Sequence, residues 1–167
     1  MNQNSSYIWI VDPIDETKNF VRGIPVFASL IALMKDGEVI AGVSHAPALG
    51  ETYSAEKGKG AHWGDRRLSV SKTATIAEAY VSFGGLKRFA EGELAPSFAS
   101  LVKAAHRPTG FAGFYACNLL AAGHVDVVAQ SAISIWDIAS SKIIVEEAGG
   151  RMTDLLGKPV TIHTKTA

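Results

Sequence analysis

Short apolar runs separated by turn residues are the first feature of the chain. Residues 7–11 form an aromatic and β-branched run that stops at Asp12-Pro13, a pattern typical of a buried strand. Two further runs, residues 27–34 and 38–44, flank Asp36-Gly37 and predict a hairpin, because Asp-Gly favours a two-residue turn. The same reading predicts strands over residues 52–56, 68–70, 80–83, 125–129, 151–155 and 160–163.

The second half of the chain changes to helical spacing. Apolar residues of the segment 96–105 recur at three- and four-residue steps, and the segment 114–122 is apolar until Gly123. A third helix is predicted over 137–148, closed by Gly149-Gly150. The order of elements predicts a layered α/β or α+β fold, with mixed, largely antiparallel sheets packed against helices.

The predicted helices are too few to cover both faces of so many strands. Two arrangements would cover the remaining face: a helical layer absent from this chain, or a second copy of the chain. We expect a homodimer. A missing helical layer is the alternative explanation of the uncovered face.

Composition and charge narrow the class of protein. With 167 residues the chain has the length of a single domain spanning 1–167. Lys plus Arg and Asp plus Glu number 16 each, and this balance argues against nucleic acid or a membrane surface as partner. No apolar run reaches the roughly 18 residues of a membrane helix, and no signal peptide is visible. The single cysteine, Cys117, excludes an internal disulfide and favours a cytoplasmic setting.

The densest candidate site is Asp12-Pro13-Ile14-Asp15-Glu16-Thr17. Two carboxylates three residues apart follow a strand end, where ligands bind in α/β folds. Held close, they repel unless a cation or a proton lies between them, and carboxylate oxygens suit Mg²⁺ or Mn²⁺. The alternative is an exposed turn in which both aspartates cap backbone donors.

A second candidate is Asp137, at the start of the third predicted helix. It is either the N-cap of that helix or a third metal carboxylate, with Trp136 as its anchor. The Gly110-Phe-Ala-Gly113 segment is a weaker candidate for anion binding at a helix start. The five histidines show no metal-ligand spacing, and Cys117 is expected to be a small core residue.

Residues 9–20, Trp-Ile-Val-Asp-Pro-Ile-Asp-Glu-Thr-Lys-Asn-Phe, resemble the first signature of the inositol monophosphatase family. Trp136-Asp-Ile-Ala-Ser140, with the helix to Glu-Ala-Gly-Gly150, resembles the second. Residues 42–48 and 53–61 are similar to the segments between them. Within the family, residues 21–33 and 110–115 look most like the histidinol-phosphatase branch. The resemblance implies a sugar-phosphatase-like fold, of which this chain would be the central and C-terminal part.

The resemblance also implies roles for individual residues. Asp12 would bridge two Mg²⁺ ions, with Mn²⁺ as an alternative, Ile14 would offer its carbonyl to the first, and Asp15 and Asp137 would hold the second. Backbone N–H groups around Glu16 and Thr17 would bind the phosphate, and the Thr17 hydroxyl would orient the attacking water. The resemblance also implies that three residues lie on the side of the leaving group: Ala112, Gly113 and Gln130.

The implied function is that of a Mg²⁺-dependent phosphomonoesterase. It would hydrolyse a small phosphorylated alcohol, of the histidinol phosphate or inositol monophosphate type, by metal-activated water. Three residues depart from the family pattern: Glu16 stands where the family usually has Gly, Gln130 where it commonly has Glu, and Gly113 where the branch tends to have Asp.

A further difference lies ahead of the first signature. The family has a helical layer there with an acidic ligand, and we expect that layer to be missing from this chain. Glu16 would then either point away or act as a metal ligand or base. The alternative function is a truncated, catalytically impaired member that acts as a metal-binding or assembly module.

Overall fold

The computed structural model describes residues 5–161, 164 and 166–167. The first half of the chain forms an antiparallel sheet of six strands, in which strands adjacent in sequence are adjacent in space. We call it the first sheet. Its strands are β1 (Tyr7–Asp15), β2 (Ala28–Lys35), β3 (Glu38–Ala46), β4 (Glu51–Glu56), β5 (Gly60–Trp63) and β6 (Arg66–Arg67). A short helix, α1 (Thr17–Val21), lies between β1 and β2.

The second half forms a parallel sheet of three strands, the second sheet, in the order β8-β7-β9. These strands are β7 (Tyr80–Gly84), β8 (Arg107–Thr109) and β9 (Val127–Gln130). Four helices accompany them: α2 (Leu86–Glu91), α3 (Ala95–Ala104), α4 (Gly113–Ala121) and α5 (Ile135–Glu147). The prediction of a mixed fold with sheets packed against helices is confirmed.

The hairpin between β2 and β3 follows from its turn residues. Asp36 and Gly37 have φ angles of 49° and 87°, so both central residues adopt the left-handed conformation of a two-residue turn. Lys35 pairs with Glu38 across this turn. The register then brings Leu30 opposite Ser44, and both side chains are buried on the same face of the sheet.

Helix α5 lies at the centre of the molecule. Ile143 and Ile144 pack in one buried cluster with Tyr53 and Ala55 of the first sheet and Cys117 of α4. At the end of the helix, the Glu147 carboxylate accepts hydrogen bonds of 2.8 Å from the amides of Gly58 and Gly60. Because these bonds favour the charged form, they lower the pKa of Glu147.

The second sheet has its own aromatic cluster on the side of α2 and α3. Phe83 of β7 contacts Phe89 and Phe98 edge to face, and these two rings stack at a centroid distance of 5.5 Å. The apolar residues that recur at three- and four-residue steps around Phe98 therefore lie on the side of α3 that packs against this cluster.

Several predicted strands are wrong, and the difference has a physical cause. Residues 68–70 are not a strand, although Leu68 is buried and its N–H donates to Ala61. Residues 151–155 form only the isolated bridge Thr153–Pro159. These apolar positions anchor loops to the core, a role that apolar periodicity does not separate from a strand. Of the predicted strand 160–163, residues 162 and 163 lie outside the described residues, and residues 160 and 161 are not in a strand.

Other elements differ in extent. β1 continues to Asp15 instead of stopping at Asp12-Pro13. The elements without a counterpart in the prediction are α1, β5, β6, α2 and β8. In the part of the chain that the structure describes, no helix has both the length and the hydropathy to cross a membrane.

The close approach of β3 to α5 gives a test of the fold. A Cβ atom added at Gly42 would lie 2.5 Å from Ile143 Cγ2 and 2.9 Å from Ser140 Cα. We expect Gly42→Ala to lower the free energy of unfolding by about 1–3 kcal/mol, because overpacking forces two packed elements apart. Urea denaturation measures the change. Gly110→Ala is the control, since its Cβ would approach nothing closer than Leu86 at 3.8 Å; equal stability of the two variants would contradict the packing.

Candidate active site

A β-bulge at the end of β1 sets the direction of two carboxylates. Asp12 pairs with Leu30 and Asp15 with Ala28, so three steps along β1 match two steps along β2. Residues three apart in a regular strand face opposite sides, but the extra residue turns Asp15 to the side of Asp12. Pro13, which lacks an N–H donor, lies within this irregular segment.

The third carboxylate comes from α5. The helix begins at Ile135, so the interpretation of Asp137 as its N-cap is wrong. Trp136 is 51% exposed, so the prediction that it anchors Asp137 in the core is also wrong. Asp137 lies in the first turn instead, where its Oδ2 accepts a 2.6 Å hydrogen bond from the Ser134 N–H. This bond fixes the side chain at the helix N-terminus, on the side of the first sheet that carries Asp12 and Asp15.

The three aspartates converge. One carboxylate oxygen each from Asp12, Asp15 and Asp137 lie within 4.8 Å of one another. Three oxygen donors of this kind suit Mg²⁺ or Mn²⁺, and their mutual repulsion is relieved when a cation lies between them. The donor set therefore fits a divalent metal.

Asp15 is the most strongly perturbed member of the group. It is 8% exposed, and its Oδ2 accepts a 2.9 Å hydrogen bond from the Phe114 N–H at the start of α4. Burial is the main cause that raises the pKa of Asp15 to about 7; the Phe114 bond opposes it, and the charges of Glu16, Asp12 and Asp137 add to it. The helix start predicted to bind an anion thus binds the carboxylate of Asp15.

Hydrogen bonds tie the turn after Asp12 together. The Ile14 N–H donates to Asp12 Oδ1 at 3.0 Å, and the Thr17 hydroxyl donates to the Ile14 carbonyl at 2.7 Å. The alternative interpretation, in which the aspartates of a turn cap backbone donors, therefore holds for Asp12, which accepts from the Ile14 N–H. It is wrong for Asp15, which is buried.

Glu16 has a backbone conformation that normally belongs to glycine. Its φ is 60°, and it precedes α1 with its carbonyl accepting from the amides of Asn19 and Phe20. The side chain is half-buried, and burial is the main cause that raises its pKa; Lys18 opposes the shift and Asp137 adds to it. Glu16 therefore brings a strained backbone and a further acidic group to the site.

A pocket of about 290 Å³ is lined by Asp15, Glu16, Thr17 and Asp137, and its wall also includes the predicted substrate-side residues Ala112, Gly113 and Gln130. The Gln130 amide nitrogen donates to the Gly113 carbonyl at 3.1 Å, which holds its side chain against the pocket wall. A Cβ at Gly113 would lie 2.5 Å from Glu16 Oε1, so the absence of a side chain there makes room for the glutamate.

The pocket includes residues that the sequence analysis missed. They come from the ends of β7 and β9 and from the segment before α5: Gly84, Gly85, Ser131, Ala132 and Ile133, together with Lys18. The Gly84-Gly85 pair at the end of β7 was the available signal, because ligands bind at the carboxyl ends of parallel strands. Nothing local marked residues 131–133.

A larger pocket, of about 380 Å³, lies beside β9. Its lining contains none of the three converging aspartates and is mainly aliphatic. The thiol of Cys117 is also unsuited to nucleophilic chemistry, since burial raises its pKa to about 12. His45, His106 and His124 are exposed and His62 is half-buried, whereas His163 lies outside the described residues.

Comparison with known proteins agrees with this geometry. The family model described as "Inositol monophosphatase family" matches residues 1–167. The chain belongs to the inositol monophosphatase family. Both segments that resemble the family signatures, around Asp12 and around Asp137, supply the carboxylates of the pocket in the structure.

Individual relatives include two bacterial enzymes. The chain is 46% identical over 154 residues to a histidinol-phosphatase of Mycobacterium tuberculosis, covering 89% of this chain and 59% of that one. It is 41% identical over 160 residues to a "Fructose-1,6-bisphosphatase/inositol-1-monophosphatase" of Thermotoga maritima, covering 95% and 60%. The chain thus spans about 60% of the length of the curated relatives that it matches.

Solved structures share the fold. The native extragenic suppressor protein suhB of Bartonella henselae superposes with a TM-score of 0.90 at 32% identity, over 98% of this chain and 65% of that one. An inositol monophosphatase of Anabaena (Nostoc) sp. PCC 7120 gives a TM-score of 0.88 at 28% identity, over 99% and 67%. The layered, sugar-phosphatase-like fold implied by the sequence is confirmed.

The left-handed backbone at Glu16 leads to a stability prediction. We expect Glu16→Gly to raise the free energy of unfolding by about 1 kcal/mol, because glycine adopts this φ without steric cost. Chemical denaturation measures the change. Glu93→Gly, in a turn whose residue has negative φ, should be neutral or destabilising, and a similar gain in both variants would contradict the strain.

The raised pKa of Asp15 predicts how stability depends on pH in metal-free protein. The folded state keeps a proton on this carboxyl up to about pH 7, whereas the unfolded state releases it near pH 3.8. The free energy of unfolding should therefore fall as pH rises from about 4 to above 7, by at most about 4 kcal/mol.

Asp15→Asn should remove most of this loss, because the neutral amide still accepts from the Phe114 N–H. Thermal unfolding in a chelator at pH 5 and pH 8 measures the effect, with the exposed Asp65→Asn as the matched control. A chain that is equally stable at both pH values would show that Asp15 is ionised in the metal-free fold.

Proposed function

We propose that the chain carries the metal and phosphate site of a Mg²⁺-dependent phosphomonoesterase that acts on a small phosphorylated alcohol. The observation that supports this most directly is that carboxylate oxygens of Asp12, Asp15 and Asp137 lie within 4.8 Å of one another. Family membership supports the same reaction class. The names of the relatives favour an alcohol of the histidinol or inositol type.

The metal ligands in this proposal are the three aspartates together with the Ile14 carbonyl. Asp12 would contact both of two ions, the Ile14 carbonyl would bind the first, and Asp15 and Asp137 would hold the second. Divalent cations supply positive charge that polarises the phosphoryl group and lowers the pKa of water. The chain contributes the fixed geometry, because a backbone amide of α4 holds Asp15 and the Ser134 amide holds Asp137.

Phosphate binding is assigned to the turn at Glu16 and Thr17. The Thr17 hydroxyl donates its proton in a hydrogen bond to the Ile14 carbonyl, so the lone pairs of its oxygen are available to accept a hydrogen bond from an attacking water and orient it. The amides at the start of α1 would bind the phosphate oxygens. Glu16, beside these amides, would act as a base or as an additional metal ligand. Its negative charge would also repel the phosphate.

The leaving alcohol would lie against Ala112, Gly113 and Gln130. Ala112 and Gly113 have little or no side chain, which leaves room for a ring or chain on this side of the pocket. Gln130 adds a neutral amide that is held in place by the Gly113 carbonyl. This wall contributes no charge of its own, so shape and hydrogen bonding would decide which alcohol fits.

One observation favours a second function, a metal-binding or assembly module without turnover. The half-buried Glu16 carboxylate lies beside the phosphate-binding turn, where it would repel the substrate. Under this alternative the three aspartates still bind a cation, but phosphate is not released.

Phosphate release decides between the two functions. We expect the chain with Mg²⁺ to release phosphate from histidinol phosphate or inositol 1-phosphate, and Asp15→Asn and Asp137→Asn each to lower the rate about 100-fold or more. Asp65→Asn is the matched control and should keep the rate. Equal release by wild type and Asp15→Asn would contradict the phosphatase, and calorimetric binding of Mn²⁺ without any release would favour the second function.

A further inference from the structure

The Glu16 carboxylate lies on the side of the pocket that is assigned to the leaving alcohol. A Cβ atom at Gly113 would lie 2.5 Å from Glu16 Oε1 and 3.0 Å from Glu16 Cγ, so this side chain lies directly against Gly113. Ala112 and Gln130 line the same pocket, and the Gln130 amide nitrogen donates to the Gly113 carbonyl. Glu16 therefore brings a carboxylate to a wall of three neutral residues.

Two unusual backbone conformations hold this contact in place. The φ angles of Glu16 and Gly113 are 60° and 56°, and both lie in the left-handed region that favours glycine. Glu16 directly precedes α1, and Gly113 is the first residue of α4. Because each backbone is held by the helix that follows it, the Glu16 side chain has a defined position against the pocket wall.

Glu16 is not part of the group of converging aspartates. Among the described residues, the carboxylates that lie within 4.8 Å of one another are those of Asp12, Asp15 and Asp137. Glu16 follows Asp15 in the sequence, but its Oε1 is directed to the side of Gly113. This geometry favours contact between Glu16 and the alcohol over contact between Glu16 and a metal ion.

The Glu16 carboxylate has no direct partner in the part of the chain that the structure describes, where it forms neither a hydrogen bond nor an ion pair. Burial raises the pKa of Glu16, and Lys18, which also lines the pocket, opposes this shift from beyond ion-pair distance. A half-buried carboxylate without a partner is stabilised when a cationic donor binds beside it. The open side of the pocket is where such a donor can enter.

We propose that Glu16 determines the specificity of the pocket for a phosphate monoester whose alcohol carries an ammonium group. The ammonium group donates hydrogen bonds to the Glu16 carboxylate on the side of Gly113, and the phosphate lies on the side of the three aspartates. This inference rests on the proposed phosphatase function and deepens it, because it names the class of substrate. It adds a requirement of charge to those of shape and hydrogen bonding.

A substrate that carries both charges also offsets the repulsion between Glu16 and the phosphate. At similar distances, the attraction of an ammonium group to a carboxylate is as strong as the repulsion between two anions. The phosphate of a neutral polyol ester meets the same repulsion without this compensation. Glu16 therefore selects in two ways, by attracting the esters of amino alcohols and by disfavouring those of neutral alcohols.

The test compares two esters that differ in a single group. Aminoethyl phosphate carries an ammonium group where hydroxyethyl phosphate carries a hydroxyl group, and at about pH 8 the amine is protonated. With Mg²⁺, we expect the wild type to hydrolyse the amino ester with a kcat/KM about tenfold higher, mainly through a lower KM. Aminopropyl and hydroxypropyl phosphate repeat the comparison with a longer reach.

Glu16→Gln keeps the size of the side chain and removes its charge. The ratio of kcat/KM between the amino ester and the hydroxyl ester should fall from about ten to about one, through a higher KM for the amino ester. Asp65→Asn is the matched control, because it removes a carboxylate from an exposed turn, and it should keep the wild-type ratio. Glu16→Gly is the second variant: its backbone conformation suits glycine, and it should lose the preference as well.

A base or an added metal ligand acts on every ester, so a role of that kind would lower kcat for both esters and leave their ratio unchanged. An unchanged ratio in Glu16→Gln, or a wild type without preference in either pair of esters, would overturn the proposal.

A complete lack of phosphate release would contradict the phosphatase itself, and the affinities then test the role of Glu16 separately. Calorimetric titration of the two esters with Mg²⁺ present should show tighter binding of the amino ester by wild type, about tenfold, and no such difference in Glu16→Gln. Equal dissociation constants in wild type, or no binding of either ester, would overturn the assignment of Glu16.

Discussion

The buried carboxylate of Asp15 is the group on which the site depends. It lies where three elements meet: the end of β1, the start of α4 and the first turn of α5. A carboxylate so deeply buried is costly when charged, and here two more aspartates and Glu16 surround it. The Phe114 amide offsets part of that cost, and a divalent cation would offset much more. The arrangement fits a site that binds a divalent cation.

Conformational strain is concentrated around the same pocket. Within the described residues, Glu16, Asp36 and Ala132 are the non-glycine residues with positive φ, and Glu16 and Ala132 both line the pocket. Strain of this kind persists where the surrounding structure holds the backbone in place, and it is common at functional sites. Glu16 is the sharper case, because its side chain also occupies the space that Gly113 leaves open.

The two sides of β1 differ in chemistry. Its inward side and its bulge carry the aspartates, whereas its outward side carries Trp9 and Val11. Because β1 is an edge strand that pairs with β2 alone among the described strands, the hydrogen bond from the Phe114 amide is an additional support for Asp15 at its end.

The sequence by itself determined the elements that depend on local physics. Asp36-Gly37 dictated the hairpin, and the spacing of apolar residues dictated α3, α4 and α5, to within two residues at their ends. It also indicated the family and the three aspartates, because the two signature segments are contiguous in the chain.

Tertiary structure decided what contiguous segments cannot show. Residues 68–70 have the apolar pattern of a strand, yet they anchor a loop, because burial and strand pairing favour the same residue types. The bulge that turns Asp15 toward Asp12 depends on pairing with β2, and the hydrogen bond from Phe114 joins residues 99 positions apart. Residues 131–133 enter the pocket only because β9 lies beside β7. Such contacts are set by how the sheets and helices pack, so no local pattern of residue types records them.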